Sequence, residues 1–188
     1  RFLGSEIDPI ALASAQKVIL SNSELIDAVT LRMQNSPPNI FKGLLKADET
    51  FDLSICNPPF HASREEAQSG SQRKWKNLGK ENDPTKQPIL NFGGQPEELW
   101  CAGGEAEFVR RMIKESSQIS KQCFWFSSLL SKESNLPGVI AALIKAKVQD
   151  YKIIEMAQGQ KKSRIVAWTF FDEALQKKWR EALSSNPV

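Results

Sequence analysis

Apolar positions along the chain fall into short runs and helical stripes that alternate. Phe2-Leu3-Gly4-Ser5-Glu6 is an apolar run with an acidic end, and it predicts a buried strand over residues 2–6. Asp8 followed by Pro9 supplies a helix N-cap with proline at the first helical position. Leu12, Ala15, Val18 and Ile19 then recur at helical spacing, which predicts a helix over residues 9–20. Residues 29–33 (VTLRM) read as a strand, Pro37-Pro38 break the chain, and residues 51–56 (FDLSIC) read as a strand ending in Asn57-Pro58-Pro59. Residues 61–103 carry Gly, Ser, Pro, Asn and charges with little periodicity, a length that in a compact domain is usually functional or disordered. Val109, Met112 and Ile113 mark the buried side of a helix over residues 105–119. A strand follows over residues 123–129 (CFWFSSL), then a helix capped by Asn135 and running to about residue 146. Two last strands, residues 151–156 and 165–171, are joined by the polar stretch 157–164, and residues 173–183 can form a final helix. No internal repeat is visible.

Strands alternating with helices predict an α/β fold with a mostly parallel sheet. The last two strands lie too close for a crossover helix, so they are expected to pair antiparallel. Ligands in such folds sit beyond the carboxyl ends of the strands. Glu6 and Asn57 both stand at strand carboxyl ends, and the expectation is that they face one shared cleft.

Composition narrows the class without naming it. The 188 residues suit one domain, with 40% hydrophobic and 25% charged residues, as in an ordinary globular protein. No apolar run approaches the roughly 20 residues of a membrane span. The chain opens on Arg1-Phe2-Leu3 with no initiator Met, no signal peptide and no leading helix, as if cut mid-domain. A net charge of +3 permits an anionic partner and proves none. Cys56, Cys101 and Cys123 are odd in number and far apart, so they fit neither a disulfide framework nor a CxxC metal pair. A reducing cytoplasm is the simple reading, and no cluster of metal ligands stands out.

Asn57-Pro58-Pro59-Phe60 is the most chemically suggestive segment. An exocyclic amine on a purine is a poor nucleophile, because its lone pair is delocalised into the ring. A site activates it by accepting hydrogen bonds from both amine hydrogens and pulling the nitrogen toward a pyramidal form. The Asn57 side-chain oxygen can supply one acceptor and the Pro58 carbonyl the other. Two prolines fix their own φ angles and stiffen the turn, and catalysis by positioning is sensitive to errors near 1 Å. Phe60 offers a face on which a base can stack, worth roughly 1–3 kcal/mol; a base inside a helix must first be flipped out. The plainer reading is a rigid strand exit, since Asn-Pro commonly starts turns. Glu6 likewise has two readings: a solvated strand-end carboxylate, or an acceptor for the two ribose hydroxyls of a nucleoside cofactor.

Glu6-Ile7-Asp8-Pro9 followed by Asn57-Pro58-Pro59-Phe60 resembles the amino-methylating class of S-adenosylmethionine-dependent, Rossmann-like methyltransferases. The resemblance narrows downstream. Asn77-Leu78-Gly79, Leu90-Asn91-Phe92-Gly93-Gly94-Gln95, Glu98-Leu99-Trp100-Cys101, Gly103-Gly104-Glu105, Trp125-Phe126-Ser127-Ser128-Leu129 and Met156-Ala157-Gln158-Gly159-Gln160 look like the bacterial RlmF family. That family methylates N6 of one adenine in 23S ribosomal RNA. The likeness runs from Phe2 to about Asp172 and rests on the order of the pieces, each weak by itself.

The resemblance implies a class I methyltransferase sheet of seven strands, mostly parallel with an antiparallel last strand. It implies S-adenosyl-L-methionine as cofactor, with Glu6 on its ribose and Ile7, Asn39, Ile40, Phe41 and Asn57 around it. Asn57, Pro58, Pro59 and Phe60 would hold the target adenine. The family's first strand and Gly-rich loop, which precede the Glu6 strand and cradle the methionine part of the cofactor, have no counterpart here. Residues 1–188 are therefore expected to be a partial methyltransferase domain, with 61–103 as a substrate-side insertion, and to bind the cofactor weakly or not at all by themselves. The expected partner is 23S ribosomal RNA or a ribosomal assembly particle.

Two groups of cations are candidates for RNA contact: Arg64, Arg73, Lys74, Lys76 and Lys80 with Trp75 among them, and Lys161, Lys162 and Arg164. Cations neutralise phosphates while an aromatic ring stacks on a base. The alternative is a solvated loop, and Glu65, Glu66, Glu81 and Asp83 dilute the first group. His61 reads as positioning or incidental, Cys56 as strand core, and Trp100, Trp125 and Trp168 as packing. The paired glycines read as turns. Two rival readings stay open: a protein methyltransferase acting on a glutamine amide, whose members usually carry Tyr at the position of Phe60, and a degenerate RNA-binding module.

Overall fold

The alternation of strands and helices expected from the sequence is what the chain adopts in the computed structural model, which describes residues 1–66, 100–158 and 161–185. The chain divides into two compact units, Arg1–Glu49 and Thr50–Val188.

In the first unit β1 (Phe2–Glu6) pairs in parallel with β2 (Val29–Met33), from Phe2 opposite Val29 to Glu6 opposite Met33. The crossover is α1 (Pro9–Leu20) followed by the single turn α2 (Ser23–Ile26). Asp8 caps α1 through Oδ1, which accepts the Ile10 N–H at 2.8 Å, and Pro9 takes the first helical position. Gly4 leaves room for its cross-strand neighbour: a Cβ there would lie 2.7 Å from Leu31 Cδ2, so that side chain would have to move aside.

The turns after β2 are tied back by Arg32. Its guanidinium donates to the Leu44 carbonyl at 2.6 Å and pairs with the Glu49 carboxylate. The hydrogen bond from Arg32, reinforced by the Lys46 N–H, holds the Glu49 carboxyl down to about 2. Its folded value lies below the ordinary 4.5, so this stabilisation is complete above that pH and is lost as the pH falls toward 2. Glu49→Gln should therefore flatten the acid limb of the first unit's stability in urea melts run from about pH 6 down to about pH 2. An unaltered slope would mean that the pair does not couple to folding.

In the second unit four strands lie in the order β3-β4-β6-β5. β3 (Phe51–Ser54) is parallel to β4 (Cys123–Leu130), and β6 (Lys161–Thr169) runs antiparallel to both β4 and β5 (Asp150–Gln158). The last strand is thus the antiparallel one, as the short connection before it required. β3 stands at the end of the sheet among the described residues, and it leaves Leu53 and Ile55 51% and 82% exposed.

β4 is buried at nearly every position, as an interior strand covered on both faces must be. α3 (Gly104–Ser116) lays Val109, Met112 and Ile113 into the core and packs against α4 (Leu136–Lys145), which adds Val139 and Leu143. Trp168 on β6 is fully buried, stacks on Phe126 at 5.9 Å, and donates its indole N–H to Ser116 Oγ at 2.9 Å. α5 (Glu173–Ser185) carries Trp179, which stacks on Phe124 at 5.4 Å and donates to Asp52 at 2.8 Å. Among the described residues no helix is long and apolar enough to cross a membrane.

One boundary differs from the sequence reading. The polar stretch 157–164 is mostly strand: β5 and β6 pair from Asp150–Thr169 to Gln158–Lys161, which leaves only residues 159–160 between them. Pairing of backbone groups extends the ladder through polar residues, because strand formation at a sheet edge does not require an apolar side chain at each position.

Candidate active site

β3 delivers the Asn57–Phe60 turn at its carboxyl end. The ladder with β4 outlasts the strand: Leu129 N–H donates to the Cys56 carbonyl at 2.9 Å, and Ser127 Oγ donates to the Ser54 carbonyl at 2.7 Å. Cys56 is half-buried there, and burial pushes its thiol up to about 11, so it is a packing group and not a nucleophile at neutral pH. Beyond it Asn57 is exposed, Pro58 and Pro59 are buried, and Phe60 is half-buried. The two rings that stiffen the backbone face the protein, while the amide that can bind a substrate is open to solvent.

The chain leaving the turn is fastened as firmly as the chain entering it. His61 forms a bridge to Trp100, and its carbonyl accepts the Cys101 N–H at 3.1 Å. Glu66 Oε2 accepts the Ala62 N–H at 2.8 Å, and Glu66 Oε1 lies 3.5 Å from Lys132 Nζ and 3.9 Å from His61 Nδ1. The Ala62 N–H first, then Lys132 and His61, hold the Glu66 carboxyl below the usual carboxylate range. The start of α3 packs against this exit. Gly103 and Gly104 have φ of 79° and 63°, and a Cβ on Gly104 would meet the Ala62 and His61 backbone at 3.2–3.3 Å. Glycine is needed at 104 on both counts.

In the first unit, Glu6 is half-buried at the end of β1, and its Oε1 accepts the N–H groups of Ile7 at 2.7 Å and Asp8 at 2.9 Å. These two bonds fix the carboxylate at the strand end. Gln34, a buried amide, joins Glu6 to the next segment: its N–H donates to the Glu6 carbonyl at 2.8 Å and its Nε2 to the Lys42 carbonyl at 3.0 Å. Asn39, Ile40 and Phe41, half-buried, precede Lys42. Gln34 escaped the sequence reading, since a lone polar residue after a strand carries no signal of burial.

The basic candidates separate. Arg64 and Lys162 are exposed. Arg73, Lys74, Trp75, Lys76 and Lys80 lie outside the described residues, as do residues 159–160 and the side chain of Lys161. Arg164 is corrected: it is a strand residue opposite Leu130 and Glu155, 4% exposed, with its guanidinium 3.2 Å from Glu133. It shares the covered face of β6 with Val166 and Trp168, so it does not belong to a solvent-facing patch. Trp168 packs as expected, and Trp125 carries Lys152 Nζ 5.5 Å from its ring.

Parallel strands with an antiparallel last strand, an acidic residue closing β1 and an Asn-Pro-Pro-Phe turn closing β3 together define a Rossmann-like α/β methyltransferase fold. The model of the RNA methyltransferase family matches residues 1–172, and the chain belongs to that family. It is 58% identical over 185 residues to the ribosomal RNA large subunit methyltransferase F of Pseudomonas putida, covering 98% of this chain and 58% of that protein. The protein of the same name from Pseudomonas entomophila is 59% identical over 179 residues, covering 95% of this chain and 56% of that protein. The chain thus spans well under two thirds of the length of these curated relatives. Among solved structures it is similar to the human METTL16 catalytic domain in complex with a MAT2A 3′ untranslated region hairpin. That match has a TM-score of 0.70 and 27% identity, covering 92% of this chain and 56% of that one.

Proposed function

We propose that this chain carries the target-amine site of an S-adenosylmethionine-dependent methyltransferase acting on N6 of an adenine in large-subunit (23S) ribosomal RNA. The observation that carries the reading is the Asn57–Phe60 turn: buried prolines, an exposed amide, and backbone fastened on both sides. The Asn57 side-chain oxygen and the Pro58 carbonyl accept the two amine hydrogens, which draws the nitrogen lone pair out of the purine ring. Phe60 stacks on the base and excludes water from one of its faces. The methylated amine is acidic enough to lose its proton to solvent, so no general base is assigned, and His61 is left as a spacer behind the turn.

S-adenosylmethionine, when bound, supplies the electrophilic methyl group. The residues present fit it: the Glu6 carboxylate is held at a strand end by two backbone N–H groups, an arrangement suited to accepting from two ribose hydroxyls. Ile7, Asn39, Ile40 and Phe41 supply half-buried surface in the same unit for its nucleoside, and Asn57 is assigned to its reacting end. Arg64 and Lys162, both exposed, are the described members of the RNA-contacting set; Arg73, Lys74, Trp75, Lys76, Lys80 and Lys161 complete it on sequence grounds. The substrate is ribosomal RNA, free or within an assembly particle, in the cytoplasm.

Labelled S-adenosylmethionine and a protein of the relatives' full length carrying this sequence provide the test. Label should enter the RNA fraction as N6-methyladenosine, and binding should weaken steeply with salt. Label in a glutamine of the protein fraction, or none in RNA, would overturn the reading.

A further inference from the structure

We infer that Glu105 is a positioning residue for the Asn57–Phe60 turn and acts on it through Lys132 and Glu66; this rests on the reading of that turn as the amine site. Glu105 is 2% exposed in the first turn of α3. An acidic residue there is ordinarily a solvated partner of the helix dipole. Here the carboxylate faces inward and is saturated by donors. Oε1 accepts from Ser131 N at 2.6 Å and from Ser131 Oγ; Oε2 accepts from Lys132 N at 3.2 Å and Asn135 Nδ2 at 2.7 Å. All four partners lie in the connection that leaves the carboxyl end of β4, just after Leu129, whose N–H holds Cys56.

From that connection a chain of contacts runs to the turn. Glu105 pins the Lys132 backbone, and the Lys132 ammonium reaches Glu66 at 3.5 Å. Glu66 in turn caps the Ala62 N–H, two residues beyond Phe60. The neighbour of Glu105, Gly104, runs so close to the His61 and Ala62 backbone that a Cβ there would lie 3.2–3.3 Å from it. One helix start therefore bears on the exit of the turn from two sides, and a shift of that start displaces the acceptors that face the amine. Both Glu105 oxygens act only as acceptors, so a glutamine there would set its NH2 against two N–H or O–H donors.

Glu105→Gln, made in a protein of the relatives' full length, should lower kcat about 10- to 100-fold, as a misplacement near 1 Å does. KM for RNA and the Kd for S-adenosylmethionine should move less than about threefold, since Glu105 is buried against Ser131, Lys132 and Asn135. Lys132→Met is exposed and safe for folding; it should cost about two- to fivefold in kcat, the scale of an exposed ion pair, and Lys132→Arg should restore it. Glu107→Gln, whose exposed carboxylate meets Arg110, should leave kcat unchanged. Asn57→Ala is run beside them. If it loses turnover while Glu105→Gln and Lys132→Met do not, the inference about Glu105 fails alone. If Asn57→Ala keeps full turnover, the assignment of the turn itself fails. Loss of kcat in Glu105→Gln matched by equal loss of cofactor affinity would mark Glu105 as merely structural. Should that variant not fold, the Lys132→Met and Lys132→Arg pair decides: equal kcat in both overturns the link.

Discussion

Asn57→Ala, in a protein of the relatives' full length, should lower kcat by about 10²- to 10³-fold, the scale on which one lost transition-state hydrogen-bond partner acts. Affinity for S-adenosylmethionine should change less than about threefold. The reasoning is differential. In the ground state the amine hydrogens are satisfied by water or by either acceptor. In the transition state the nitrogen must give up conjugation with the ring, and an acceptor fixed on a stiff turn favours that change more than it favours binding. The Pro58 carbonyl remains in the variant, so some activity should survive. Asn57 is exposed, and substitution of such a residue costs within about 0.5 kcal/mol of stability. The loss should thus appear with an unchanged melting temperature. Equal losses of turnover and cofactor affinity, or a variant that melts early, would argue that Asn57 only shapes the strand exit.

Trp168→Ala should produce the largest loss of stability, about 3–5 kcal/mol. The side chain is fully buried and stacked on Phe126, and its N–H reaches the fully buried Ser116 at the end of α3. Truncation removes the largest fully buried side chain among the described residues, leaves a cavity between β6 and α3, and deprives Ser116 Oγ of a donor. In a domain of this size the melting temperature should fall by about 10 °C, a large share of the roughly 5–15 kcal/mol that holds a typical protein folded. Trp168→Phe keeps the stacking and loses the N–H, so it should fall well short of that. Chemical denaturation of the three proteins measures the difference, and equal midpoints for Ala and wild type would refute the assignment of Trp168 as a core residue.

Much of this architecture could be read from periodicity, and what could not has identifiable causes. Val109, Met112 and Ile113 repeat at helical spacing and face the core of α3 as expected. The short connection before β6 required antiparallel pairing, and β6 pairs so on both sides. The β5–β6 hairpin was underestimated because polarity marks solvent exposure, not the absence of backbone pairing. Arg164 is the result: three basic residues in a polar run read as one patch, but Lys162 and Arg164 share one face of β6, and that face is covered from Arg164 onward, with Val166 and Trp168, while Lys162 near the hairpin end is exposed. Around the turn, sequence located Asn57–Phe60 at a strand end because prolines and a strand run are local signals. It could not reveal Glu105, Glu66 or Gln34, whose roles depend on hydrogen bonds to residues far along the chain or on burial that their neighbours create. Buried acids and amides are invisible to hydropathy; only their partners distinguish them from solvated ones.

The end position of β3 among the described residues carries a requirement of its own. A terminal strand presents a row of N–H and C=O groups to any chain of similar shape. Here Leu53 in the strand and Ile55 just past its end are largely exposed, with no lysine or proline within residues 51–56 to discourage pairing. A further strand laid along this margin would satisfy those groups and hide the apolar pair at once. The strand that delivers the Asn57–Phe60 turn is therefore the margin of the described sheet most in need of a covering segment.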